Sequence, residues 1–148
     1  MKARHRAREV ALQILYRYDV ALQSSAVPIP TGNELVKDLS RHFDHFQVQD
    51  GLREFAAQLV AGTLQNLGEL DGLLEKHTSN LKVARMGYVD RSLLRMATYE
   101  LKHVSDTPAS VVIDEAIELG KQFGNEETPS FINGILDSVK TTLGREAT

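Results

Sequence analysis

An all-α fold follows from three features of this 148-residue chain. Apolar residues recur at three- and four-residue spacing along most of its length. No stretch alternates apolar and polar residues long enough to make a half-buried strand. Proline, glycine and small polar residues fall between the periodic segments rather than within them. Read in order, the segments amount to about seven helices.

The first helix is the most informative. At about 100° per residue, Ala7, Val10, Ala11, Ile14, Leu15, Tyr18 and Leu22 share one side, the expected core face. Arg6, Gln13 and Arg17 lie roughly opposite, with Arg4 and Arg8 projecting from the first turns. Leu12 and Tyr16, one turn apart, fall outside the core stripe and are expected to form an exposed apolar pair.

A loop of mixed small and proline residues occupies 23–32. Periodicity resumes with Leu35, Val36, Leu39, Phe43 and Phe46, then with Leu52, Phe55, Ala56, Leu59, Val60, Thr63 and Leu67, then with Leu70, Leu73, Leu74 and His77. Asp90 reads as the N-cap of a fifth helix with Leu93, Leu94, Ala97, Leu101 and Val104 on its core face. Arg91, Arg95 and Lys102 share a flank that reads as solvated. Thr107-Pro108 and Thr128-Pro129 each open a helix with proline in the first turn. Gly124 and Gly144 are placed to end those helices, and Gly120 interrupts an apolar stripe where a neighbouring helix can come close. Phe131, off the seam of Ile132, Ile135, Leu136 and Val139, is expected to be partly exposed.

Charge is divided unevenly. Residues 1–17 hold five basic residues against Glu9 alone, a local net of +4, so the rest of the chain carries −7 within the total of −3. Arginine binds phosphate through a bidentate fork, and a local field outweighs a global sum in binding, so this end points to nucleic acid. No cysteine is present, which removes disulfides and thiolate chemistry. No apolar run reaches the ~20 residues that cross a bilayer, and the basic start leads into an amphipathic pattern rather than a signal sequence. The cytoplasm is the expected compartment. Glycine-rich phosphate loops and hydrolase or zinc signatures are missing. Asp38, His42, Asp44 and His45 lack the spacing of a closed metal shell, and Asp114, Glu115 and Glu118 read as solvated carboxylates. No enzyme, metal or cofactor is expected.

Four segments carry a resemblance: Arg4-x-Arg6-Ala7-Arg8-Glu9-x-Ala11-x-Gln13-x-Leu15-Tyr16; Arg91-Ser92-Leu93-Leu94-Arg95-Met96-Ala97-x-Tyr99-Glu100-Leu101; Val112 to Gly124; and Phe131-Ile132-Asn133-Gly134-Ile135-Leu136-Asp137. In order and over nearly the whole chain, they resemble the NusB family of bacterial transcription antitermination factors. The resemblance carries nothing for 24–50.

The resemblance implies two small packed helical bundles forming one RNA-binding domain over 1–148, with subdomains of about 1–80 and 81–148. It implies binding of single-stranded boxA RNA jointly with the ribosomal protein NusE, within the antitermination complex of RNA polymerase, notably on ribosomal RNA operons. No membrane and no small-molecule substrate is involved. Lys2, Arg4, Arg6, Arg8, Arg95 and Phe131 match RNA-contacting positions; Tyr16 and Asp90 match positions facing NusE, and Leu12 joins them as neighbour of Tyr16. His5 stands where an arginine is common, Ser130 where some members have lysine, and Glu127 where an acidic residue modulates RNA binding. A NusB-like domain also precedes certain ribosomal-RNA cytosine methyltransferases, and a homodimeric helical adaptor is a further alternative.

Overall fold

The computed structural model describes residues 2–145, which form seven α-helices and one short 3-10 turn, with no strand among the described residues. The helices are α1 (Lys2–Ser25), α2 (Gly32–His45), α3 (Asp50–Gln65), α4 (Leu67–Glu75), α5 (Tyr88–His103), α6 (Ala109–Phe123) and α7 (Thr128–Thr142), with the 3-10 turn at Val83–Arg85. The chain divides into two compact units, one ending at Gly62 and one beginning at Thr63. The sequence reading drew its division near residue 80. Helix α4 falls instead in the second unit, where it packs against α5 and α7.

In the first unit α1 is buried over far more than one stripe. Ala7, Arg8, Val10, Ala11, Leu12, Ile14, Leu15, Tyr18 and Asp19 are all buried. At about 100° per residue these positions cover an arc of roughly 200°. Leu22, expected in the core, is exposed, because the last turn of α1 runs beyond the buried body. Helix α2 buries Leu35, Leu39 and Phe43 as read from the sequence, but Val36, placed in the same pattern, is exposed.

In the second unit α5 is the central element, buried from Arg91 to Leu101 except at Arg95 and packed against α4, α6 and α7. It begins two residues before Asp90, at Tyr88, with Gly87 in the cap position. Asp90 is therefore a first-turn carboxylate beside the positive end of the helix, and its Oδ1 accepts the Thr128 hydroxyl at 2.7 Å. Thr128 in turn accepts the Asn125 N–H at 3.1 Å, while Asn125 Oδ1 accepts the N–H groups of Glu127 (2.9 Å) and Thr128 (3.1 Å). Asn125 thus satisfies the N–H groups of Glu127, the cap position of α7, and of Thr128, and Thr128 ties the start of α7 to α5.

Two glycines make this junction possible. A Cβ on Gly120 would sit 3.1 Å from both Ile132 Cδ1 and Thr128 Cγ2, so α6 and α7 approach through it. Gly124 ends α6 in an extended conformation (φ −93°) rather than the left-handed one expected of a terminal glycine. Its requirement is spatial: a Cβ there would lie 2.5 Å from Thr128 Oγ1. At the other end of α7, Gly144 does adopt φ +71°. Next to it Arg145 donates to the Leu101 and Thr107 carbonyls, both at 2.6 Å, closing the C-terminal end of α5.

Gly124→Ala is expected to lower stability by about 1–3 kcal/mol through forced displacement of Thr128. Gly134→Ala, inside α7 where an added Cβ meets nothing, is expected to raise it by about 1 kcal/mol through helix propensity. Chemical denaturation of both variants at constant protein concentration checks the opposite signs.

Candidate nucleic-acid interface

The arginines at the start of α1 have three different fates. Arg4 is exposed, and its guanidinium carbon lies 4.2 Å from the centroid of the Phe55 ring on α3. Arg8 approaches the same ring at 5.3 Å but is only 3% exposed. The sequence has Arg8 projecting outward. At 80° from the centre of the core face it instead falls within the wide buried arc. Arg6 pairs with Glu9 one turn on and donates to the Phe46 carbonyl at 3.4 Å, with its side chain still 42% exposed. The Lys2 side chain lies outside the described residues.

Phe55 is the member of this cluster that sequence reasoning missed. Its place in an apolar pattern marks it as a core residue, which it is, and nothing local indicates two guanidiniums on its face. A cation over an aromatic ring is attracted by the ring quadrupole, by ~0.5–1 kcal/mol where exposed and more where desolvated. The stack holds the Arg4 guanidinium over the ring.

The expected apolar pair on α1 does not exist. Leu12 is 2% exposed, for the reason that buries Arg8, and only Tyr16, at 39%, faces outward. In the second unit the stripe of Arg91, Arg95 and Lys102 is solvated only at Lys102. Arg91 is buried and donates to the carbonyls of Val83, Ala84 and Met86 at 3.0–3.3 Å. Arg95 holds both oxygens of Asp71 at 2.8 Å, and Lys102 pairs with Glu69 at 3.1 Å. Phe131 is partly buried in the first turn of α7, and Asp90 has one oxygen engaged by Thr128. Asp114 and Glu118 are exposed as expected.

Comparison with known proteins relates the chain as a whole to one family. A model of the NusB family matches residues 5–141. The chain is 44% identical over 146 residues to the transcription antitermination protein NusB of Geobacter sulfurreducens, covering 97% of each sequence. Among solved structures it is similar to NusB of T. maritima, with a TM-score of 0.77 at 30% identity, over 93% of this chain and 90% of that one. It is also similar to a chain in the crystal structure of the antitermination factors NusB and NusE in complex with double-stranded RNA. That match has a TM-score of 0.78 at 28% identity, over 96% of this chain and 98% of the other.

A second polar cluster lies within the first unit. The Tyr18 hydroxyl donates to Asp38 Oδ2 at 2.5 Å, Arg41 donates to Asp38 Oδ1 at 2.9 Å, and His42 Nε2 lies 3.3 Å from Asp38. Burial, then the bond to Asp38, push the Tyr18 hydroxyl well above the usual phenol range. Burial opposes charge on Asp38, yet the hydrogen bonds from Tyr18 and Arg41 hold its carboxyl below 3.8. Burial also lowers His42 below 6.5, with Asp38 offsetting only part of the effect. Sequence reading treats Asp38 and His42 as a metal mimic. Their partners are each other, Tyr18 and Arg41.

A histidine whose folded pKa is depressed favours the folded state fully above its unfolded value, and that contribution falls as the pH drops below it. Asp38, also depressed, loses its contribution only below 3.8. The melting temperature is therefore expected to fall between pH 6.5 and 3.8, and less steeply in His42→Gln. Equal slopes for the two proteins in a calorimetric pH series would remove His42 from this account.

Proposed function

The chain belongs to the NusB family, and from that premise we propose that it acts in transcription antitermination by binding RNA together with a NusE partner. The observation that carries the RNA side is the exposed Arg4 guanidinium held over Phe55 at the basic end of α1. The ring fixes where this exposed charge stands, at the end of the helix that a phosphate chain would approach. Lys2, Arg4 and Arg6 are the proposed phosphate contacts. Arg8, buried over the same ring, acts by adding charge beneath Arg4 rather than by touching RNA. Phe131 is the proposed stacking surface for an unpaired base. Arg95 reaches RNA only in competition with Asp71, so it ranks below these. The solved relative with NusE and RNA supports the joint assembly.

Tyr16 is the proposed protein anchor, an exposed aromatic of the type that dominates interfaces, with Asp90 as a weaker candidate because Thr128 already holds one of its oxygens. Leu12 supports Tyr16 from below rather than meeting the partner. The preferred RNA is a single-stranded boxA element, and the place of action is the cytoplasm. The role is that of a scaffold, with no bond made or broken and no cofactor.

Three phosphate contacts to a single strand give a salt slope near −2 for the logarithm of the binding constant, since each contributes about 0.7. Fluorescence anisotropy with a boxA oligonucleotide, NusE present, is expected to show at least this slope, because the partner's own phosphate contacts add to it. Arg4→Ala should make it shallower by about 0.7, and affinity for a scrambled strand or for duplex RNA should be weaker. A flat salt response would remove the arginine end from the interface. Tyr16→Asp is expected to reduce NusE binding by at least roughly tenfold in calorimetry while leaving the thermal melt in place. Loss of the fold instead would make Tyr16 structural.

A further inference from the structure

Between the C-terminal half of α1, the loop that follows it and α2 lies a cleft of about 550 Å³, within the range of about 300–1,000 Å³ typical of ligand sites. It is built within the first unit, and neither the arginine end of α1 nor Tyr16 lines it. It is polarised along its length. At the loop end the lining is apolar, with Ala21, Val27, Pro28 and Pro30. Val27 is 51% exposed there, one of the few large apolar side chains on the surface of the described residues. Helix α1 runs toward that loop and α2 runs away from it. The cationic side chains Arg17 and Arg41 therefore lie at the opposite end, with Lys37 between.

The wall is fixed rather than loose. Ala26 takes φ +54°, a conformation that L-residues other than glycine, asparagine and aspartate seldom adopt. The Val27 N–H then bonds back to the Ala21 carbonyl at 3.1 Å. This bond holds Val27 and Ala21 on the same wall. On the floor, Asp38 is occupied by Tyr18 and Arg41. Arg17 and Lys37 make no hydrogen bond or ion pair with any described residue. Two exposed, unengaged cations thus stand beside an exposed apolar wall.

We propose that this cleft is a docking site for an acidic amphipathic peptide segment of a partner protein, its apolar side chain on Val27 and Pro28 and its carboxylate on Arg17 and Lys37. Charge complementarity selects that occupant. An apolar patch rimmed by charge is characteristic of protein recognition. Nucleic acid fits less well, because the wall of Ala21, Val27, Pro28 and Pro30 offers a phosphate chain no donor, whereas an amphipathic peptide buries an apolar side chain there. Nor is a stacking face open: the rings of Tyr18 and His42 pack edge-to-face on one another, centroids 5.7 Å apart. The proposal is independent of the RNA reading, since none of the proposed RNA contacts lines this cleft.

The test is a phage-displayed random-peptide selection on the full chain, followed by methyl NMR with the enriched peptide. The expected result is a consensus placing Asp or Glu beside an aliphatic or aromatic residue, with shifts at the Ala21 and Val27 methyl groups. Arg17→Glu combined with Lys37→Glu should weaken that peptide by roughly tenfold with an unchanged thermal melt. Failure to enrich any peptide, shifts confined to other residues, or equal affinity after charge reversal would overturn it. So would two further results. One is stronger perturbation of the same methyl groups by a uridine oligonucleotide, which would make the cleft an RNA groove. The other is a dimer that dissociates on charge reversal, which would make its occupant a second copy.

Discussion

The burial of α1 over roughly 200° of its circumference is the constraint on which the functional surface depends. A helix buried on a single stripe would leave most of its basic and aromatic side chains in solvent. Buried over a wider arc, α1 withdraws Arg8, Leu12 and Asp19 and leaves Arg4, Tyr16 and Arg17 outside, with Arg6 partly so. The exposed groups therefore fall on separate short segments of one rigid rod, and each can address a different ligand. Arg8 shows the energetic logic. A buried guanidinium is costly unless compensated, and the face of Phe55 supplies part of the compensation while also carrying Arg4.

Arginines elsewhere are engaged in holding the backbone. Arg91 gathers three carbonyls around the 3-10 turn, and Arg145 joins the end of α5 to the loop before α6. Arg95 is locked on Asp71 by two parallel bonds. The planar fork of guanidinium suits all three tasks, because its donors reach several acceptors in one plane. Arginine type and helical position are thus poor guides to ligand binding. What separates the classes is whether the protein already supplies the acceptors.

The second unit rests on close approach at small residues. Gly120 and Gly124 admit Thr128 and Ile132, and the Thr128 hydroxyl links Asn125 to Asp90. A side chain at either glycine would separate α6 from α7 and disturb the first turn of α5. Asp90 is therefore partly committed to the fold. That commitment explains why its value as a partner contact falls below that of Tyr16, which the core leaves outward.

Helical periodicity, turn residues and charge division were enough to read the helix count, the all-α class, the basic end of α1, the close approach at Gly120 and the outward face of Tyr16. These depend on neighbours in sequence, and a local pattern records them. The depth of α1's burial, the pairing of Arg4 and Arg8 with Phe55, and the occupation of Asp38 by Tyr18 depend on residues 20 to 51 positions away in the chain. A helical wheel ranks positions around an axis but holds no information on how wide an arc neighbouring elements will cover. So the sequence by itself determined which residues could meet a ligand, and the tertiary structure decided which of them remain outside. The reason is that exposure is set by packing between distant segments, whereas periodicity is set within one.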